Sequence, residues 1–112
     1  MLTKHESYVF GWVFGRLNAG RANPIGGDFG AAAMRPYSGL AQVMQDARRL
    51  HLITPELDAE IAAALDGIDR DAPEMDGPAE KVQPLENQGA WQMGYYSGYG
   101  KHPVTAKGGA ST

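Results

Sequence analysis

The sequence predicts an all-α protein: a small four-helix bundle with a long Gly/Pro-rich loop after the first helix. Three observations lead there. Apolar residues recur at spacings of three and four, the period of a helix face. Helix-start signals stand just before those windows, Thr3 with Glu6 and Thr54 with Pro55. No run alternates convincingly as a half-buried strand does. At 112 residues, with 43% hydrophobic and 21% charged, the chain is one domain with a single modest core. The helical domain is expected over residues 1–103, and "VTAKGGAST" at 104–112 reads as a disordered tail.

The elements follow in order. Thr3-Lys4-His5-Glu6 is a capping box, and the helix it starts runs to about Asn18. That helix is apolar on nearly every side, through Tyr8, Val9, Phe10, Trp12, Val13, Phe14 and Leu17, as a buried helix is. Gly11 and Gly15, four apart, share one face where another helix can approach closely. Residues 19–36, "AGRANPIGGDFGAAAMRP", read as a long connection of the kind that is often functional or mobile. A second helix is predicted from Ser38 to His51, carrying Leu40, Val43, Met44, Ala47 and Leu50 on its inner face. A third starts at Thr54 and buries Leu57, Ile61, Ala64, Leu65 and Ile68. Pro73, Gly77 and Pro78 mark a second loop, and the fourth helix spans about Leu85 to Tyr99.

That last helix holds opposed signals. Its aromatics want a packed surface, whereas Gly89, Gly94 and Gly98 each weaken a helix by roughly 1 kcal/mol relative to alanine. Gly94-x-x-x-Gly98 mirrors Gly11-x-x-x-Gly15, so the first and fourth helices are expected to nest through these two notches. Tyr95, Tyr96 and Tyr99 cannot all face one way, which leaves aromatic surface for a partner. Trp91, Tyr95, Tyr96 and Tyr99 are therefore the candidate partner-binding residues.

Composition excludes several classes. The absence of cysteine removes disulfides and thiolate zinc sites and fits a cytoplasmic protein. Glu6 interrupts any signal-peptide pattern, and the apolar run Tyr8–Phe14 is far shorter than the ~20 residues of a membrane span. His5, His51 and His102 have no partner at metal-ligand spacing. After Asp69 and Asp71, Pro73 and Glu74 occupy places a calcium loop gives to a ligand and a glycine. "GYGKH" fails the phosphate-loop pattern twice, at Tyr95 and at His102. No cofactor and no catalysis are expected.

Charge divides the chain. Residues 1–50 carry six Lys/Arg against three acids, while nine acids lie between Glu56 and Glu80. A basic half beside an acidic stretch suggests two kinds of neighbour. Arg16, Arg21, Arg35, Arg48 and Arg49 are the candidate nucleic-acid-binding residues, because guanidinium groups suit phosphate oxygens and aromatics beside them can stack on unpaired bases.

Three segments in order, "YVFGWVFGRL", "FGAAAMRP" and "LENQGAWQMGYYSGYGKH", resemble the C-terminal helical region of the type I-C CRISPR Cascade large subunit. In that family the region is also made separately as the small subunit. The likeness runs over about residues 8–100. It rests on Tyr8, Gly11, Phe14 and Leu17, then on Phe29, Gly30 and Pro36, and finally on Glu86, Gln88, Gly89, Trp91, Gly94, Tyr95 and Tyr96. It implies a non-catalytic subunit that contacts other Cascade subunits in a crRNA-guided complex and helps hold single-stranded or R-loop DNA by its backbone. Guide pairing supplies the sequence specificity in such effectors. After Tyr96 the family continues H-Q-R, where this chain has Ser97-Gly98-Tyr99 and loses a basic residue. That change and the acidic stretch point to an alternative, a phage-encoded anti-CRISPR look-alike that binds the complex and blocks target DNA.

Overall fold

Thr3 opens the first helix by the reciprocal bonds its sequence predicts. Its hydroxyl accepts from the Glu6 amide at 3.0 Å, and its own amide donates to the Glu6 carboxylate at 2.9 Å. The computed structural model describes residues 2–68 and 80–104. Among these, five helices follow in order: α1 (Lys4–Asn18), α2 (Phe29–Met34), α3 (Pro36–Arg49), α4 (Pro55–Ala64) and α5 (Leu85–Tyr99). Asp69, Asp71 and Asp76, the turn signals at Pro73, Gly77 and Pro78, and residues 105–112 of the expected tail lie outside the described residues. Val104, expected to begin that tail, is half-buried against the core.

The expected 19–36 loop is shorter than its composition suggests, because α2 lies inside it. Asp28 caps α2 by accepting from the Ala31 amide at 2.8 Å. The Phe29 ring anchors it edge-on to Trp91 and Tyr95, with centroids 5.1 and 4.6 Å away. Glycines and prolines on both sides hid a six-residue helix, and the count among the described residues becomes five instead of four. The third expected helix is also shorter at its end: α4 stops at Ala64, and Gly67 turns the chain at a φ of +79°.

α1 and α5 form the centre of the fold and run parallel. A Cβ added at Gly11 would overlap the Trp91 carbonyl, and one at Gly15 the Tyr95 carbonyl. From the other side, Gly94 faces the Tyr8 carbonyl and Gly98 the Trp12 carbonyl. Residue numbers rise together along both helices, which fixes the direction. The hydrogen that replaces each Cβ points at a backbone oxygen, the geometry of a weak Cα–H···O contact worth about 0.5–1 kcal/mol. Side chains tie both ends of the pair. Asn87 donates to the Leu2 carbonyl at 2.9 Å, and the Trp12 indole donates to the His102 carbonyl at 2.8 Å.

The remaining helices wrap this pair. Phe10 of α1 meets Tyr37 of α3 edge-on at 5.1 Å. Gly39 lets α3 cross close to Ala32 of α2. Ile61 of α4 is buried, and so is Leu65 just beyond it. α3 lacks a side-chain cap of its own, and the chain supplies one from far away. Glu80 accepts from the Tyr37 and Ser38 amides, each at 2.9 Å, and from the Ser38 hydroxyl at 2.8 Å. Glu80 is thus the buried N-terminal cap of α3, rather than the exposed end of an acidic surface. α3 ends in a Schellman turn: the Leu52 amide bonds the Ala47 carbonyl at 2.9 Å, with His51 at a φ of 57°. No helix among the described residues is long and apolar enough to cross a membrane.

Candidate functional site

Trp91, Tyr95 and Tyr99 fall four apart on α5, and their rings form one stacked row. Trp91 and Tyr95 lie 5.8 Å apart at 17°, Tyr95 and Tyr99 5.9 Å apart at 22°. The row runs from inside to outside. Trp91 is 1% exposed, Tyr95 is half-buried, and Tyr99 is 44% exposed. Tyr96, 66% exposed, stands edge-on to Tyr95 at 5.3 Å. Trp91 was expected to face a partner. It is a core residue instead, packed edge-on against Phe14 and Phe29 at 5.2 and 5.1 Å.

The outer end of this row opens into a cleft of about 450 Å³. Phe29, Tyr95, Tyr96 and Tyr99 supply its apolar wall, and Arg21 and Asp28 its charged edge. The loop beneath is pinned. Asn18, buried at the end of α1, accepts from the Ile25 amide at 2.7 Å and donates to the Phe14 and Ile25 carbonyls at 3.0 and 3.1 Å. Gly26 takes a φ of +90° against the Phe14 ring and donates to Asp46 at 2.9 Å. This bond is the main reason the Asp46 carboxyl sits below its ordinary range; Gln42 and Arg49 add to it. Burial, and then the neighbouring Tyr99 and Tyr96 phenols, push the Tyr95 phenol above its ordinary value. At neutral pH it is an uncharged hydroxyl on an aromatic wall.

The five candidate arginines do not form one stripe. Arg21 alone lines the aromatic cleft. Its Nε donates to the Asn23 carbonyl at 3.2 Å, and its terminal nitrogens make no hydrogen bond or ion pair among the described residues. Arg16 pairs with Glu60 at 3.2 Å, Arg49 approaches Asp46 at 3.6 Å, and Arg35 donates to the Glu80 carbonyl at 3.1 Å. Arg48 is exposed beside a separate depression with Ile53, Thr54 and Asp58.

Of the nine candidates, the fold brings together Arg21, Tyr95, Tyr96 and Tyr99. Phe29 and Asp28 belong to the same cleft and were missed as site residues. Their signal was a capping aspartate followed directly by an aromatic, inside a segment read as loop. Among the described residues, no three His, Asp or Glu side chains converge to hold a metal. No protein-family model, no curated protein and no solved structure matches this chain.

Proposed function

We propose that the chain is a non-catalytic, small-subunit-like component of a type I-C CRISPR Cascade surveillance complex in the cytoplasm. It docks on the other Cascade subunits and holds the target or displaced DNA strand by its backbone, while guide pairing reads the sequence. One observation carries the reading: an arginine and exposed tyrosines, predicted separately as nucleic-acid and partner contacts, share a cleft on a tightly locked helical scaffold. Aromatic wall plus guanidinium is the combination that holds unpaired nucleotides without sequence preference. The three ordered sequence segments that resemble the family support the same assignment.

A second reading has its own support. Three of the five arginines are engaged inside the molecule, while Glu56, Asp58 and Glu60 of α4 are exposed. An acidic face of this kind suits a phage-encoded inhibitor that occupies the complex's basic DNA path. One experiment separates the two. The protein is co-purified with a type I-C complex lacking its own small subunit, and interference is then measured. The subunit reading expects the protein to join and restore interference. The inhibitor reading expects it to join, exclude target DNA and abolish interference in the complete complex. Failure to join removes both.

A further inference from the structure

We propose that the cleft between α2 and the C-terminal half of α5 receives an unpaired base of single-stranded DNA. The base stacks on Tyr96 and Tyr99, and Arg21 meets an adjoining phosphate. This rests on the strand-holding reading above and names the place and mode of contact.

Trp91, Tyr95 and Tyr99 are already stacked on one another, so the inner members of the row have no free face to offer. The faces left open belong to Tyr99 and Tyr96, which the fold leaves 44% and 66% exposed. Phe29, edge-on to Tyr95 at 4.6 Å and tilted against Tyr96 at 6.2 Å, stiffens this wall from the side. A rigid aromatic wall loses little conformational freedom on binding. The cleft volume of about 450 Å³ is that of a small-ligand pocket. It suits one splayed base with its sugar and is too small for a paired duplex step, whose bases are covered by their neighbours.

The charges orient such a nucleotide. Arg21 is the one candidate arginine at the cleft, and its terminal nitrogens are available among the described residues. Asp28 repels a phosphate from its own side, and part of its charge is spent on the Ala31 amide. Phosphate thus lies toward Arg21 and the base toward the tyrosines. With a net charge of −3 and a single guanidinium at the site, binding draws mainly on stacking. The expected salt dependence is therefore shallow: about 0.7 log units per log unit of salt, the contribution of one phosphate.

The test uses the full chain and a short fluorescein-labelled oligo-dT strand, read by anisotropy over a salt series. Tyr96→Ala and Tyr99→Ala, both at exposed positions, are expected to weaken binding roughly tenfold or more each. Tyr96→Phe should bind as the unaltered protein does, because the ring rather than the hydroxyl makes the contact. Arg21→Gln should leave a salt slope near zero. A circular-dichroism melt of each variant separates lost binding from lost folding. If the unaltered protein binds the strand and both alanine variants bind it equally well, the cleft is overturned while the strand-holding reading survives at another surface. If the protein joins the Cascade complex but binds no oligo-dT, the cleft proposal is wrong and the tyrosines are a protein contact. Binding to neither removes this proposal together with the reading it rests on.

Discussion

Two kinds of glycine stand in α5, five residues apart. Gly94 and Gly98 are pressed against carbonyls of α1, where a methyl group would overlap backbone that cannot rotate aside. Gly89 has nothing within 4 Å of the position a Cβ would take. The same residue type in the same helix is thus obligatory on one face and a local weakness on the other. The inner face makes the fold. The outer face, where Leu85 is 83%, Met93 69% and Tyr96 66% exposed, is where side chains remain free for contacts outside the molecule.

The sharpest way to break this contrast is one substitution made at both places. Gly94→Ala should destabilise the protein by about 3 kcal/mol or more, at the upper end of overpacking penalties, because neither backbone can yield. A urea melt in which Gly94→Ala matched the unaltered protein would mean that the α1–α5 seam is looser than its geometry. Next in size is Glu80→Ala. It leaves the buried Tyr37 amide without its acceptor and is expected to lower stability by about 2 kcal/mol by the same measurement. Gly89→Ala should act in the opposite direction and raise stability by about 1 kcal/mol, the helix-propensity difference alone. A loss there would show that the outer face of α5 is already covered.

The smallest effect is read through pH. The Asp46 carboxyl titrates below its unfolded value, held first by the Gly26 amide. Its contribution is therefore present above about pH 3.9 and is lost as pH falls through the lower folded value. Urea melts across that acid range should show the stability gap between the native protein and Asp46→Asn closing as pH drops. A gap that stays constant would mean that Gly26 does not hold the charge and that the loop under the cleft is pinned by Asn18 alone.

Much of the scaffold is legible in the sequence. Thr3 with Glu6, and Thr54 with Pro55, announced two helix starts that the structure reproduces at α1 and α4. The paired notches Gly11/Gly15 and Gly94/Gly98 announced the seam between the first and last helices. The aromatic cleft was half legible. Three of its tyrosines and Arg21 stand out in the sequence, the tyrosines as partner contacts beside Trp91 and the arginine as a phosphate contact. Periodicity says that Trp91, Tyr95 and Tyr99 share a face; it cannot say how far along that face the core extends. α2 stayed hidden because six residues between glycines and a proline produce too little period to see. Glu80 stayed hidden because a cap supplied from more than forty residues away leaves no local pattern.

What the sequence by itself determined, then, is where α1, α3, α4 and α5 lie and which two of them touch backbone to backbone. Capping, helical period and the absence of a Cβ all act within a few residues, so they can be read locally. The tertiary structure alone decided that Glu80 closes α3, that Trp91 is buried while Tyr96 is not, and that Arg21 stands beside the tyrosines. Each of these depends on residues brought together across long separations, and only the packing of the whole chain sets those distances.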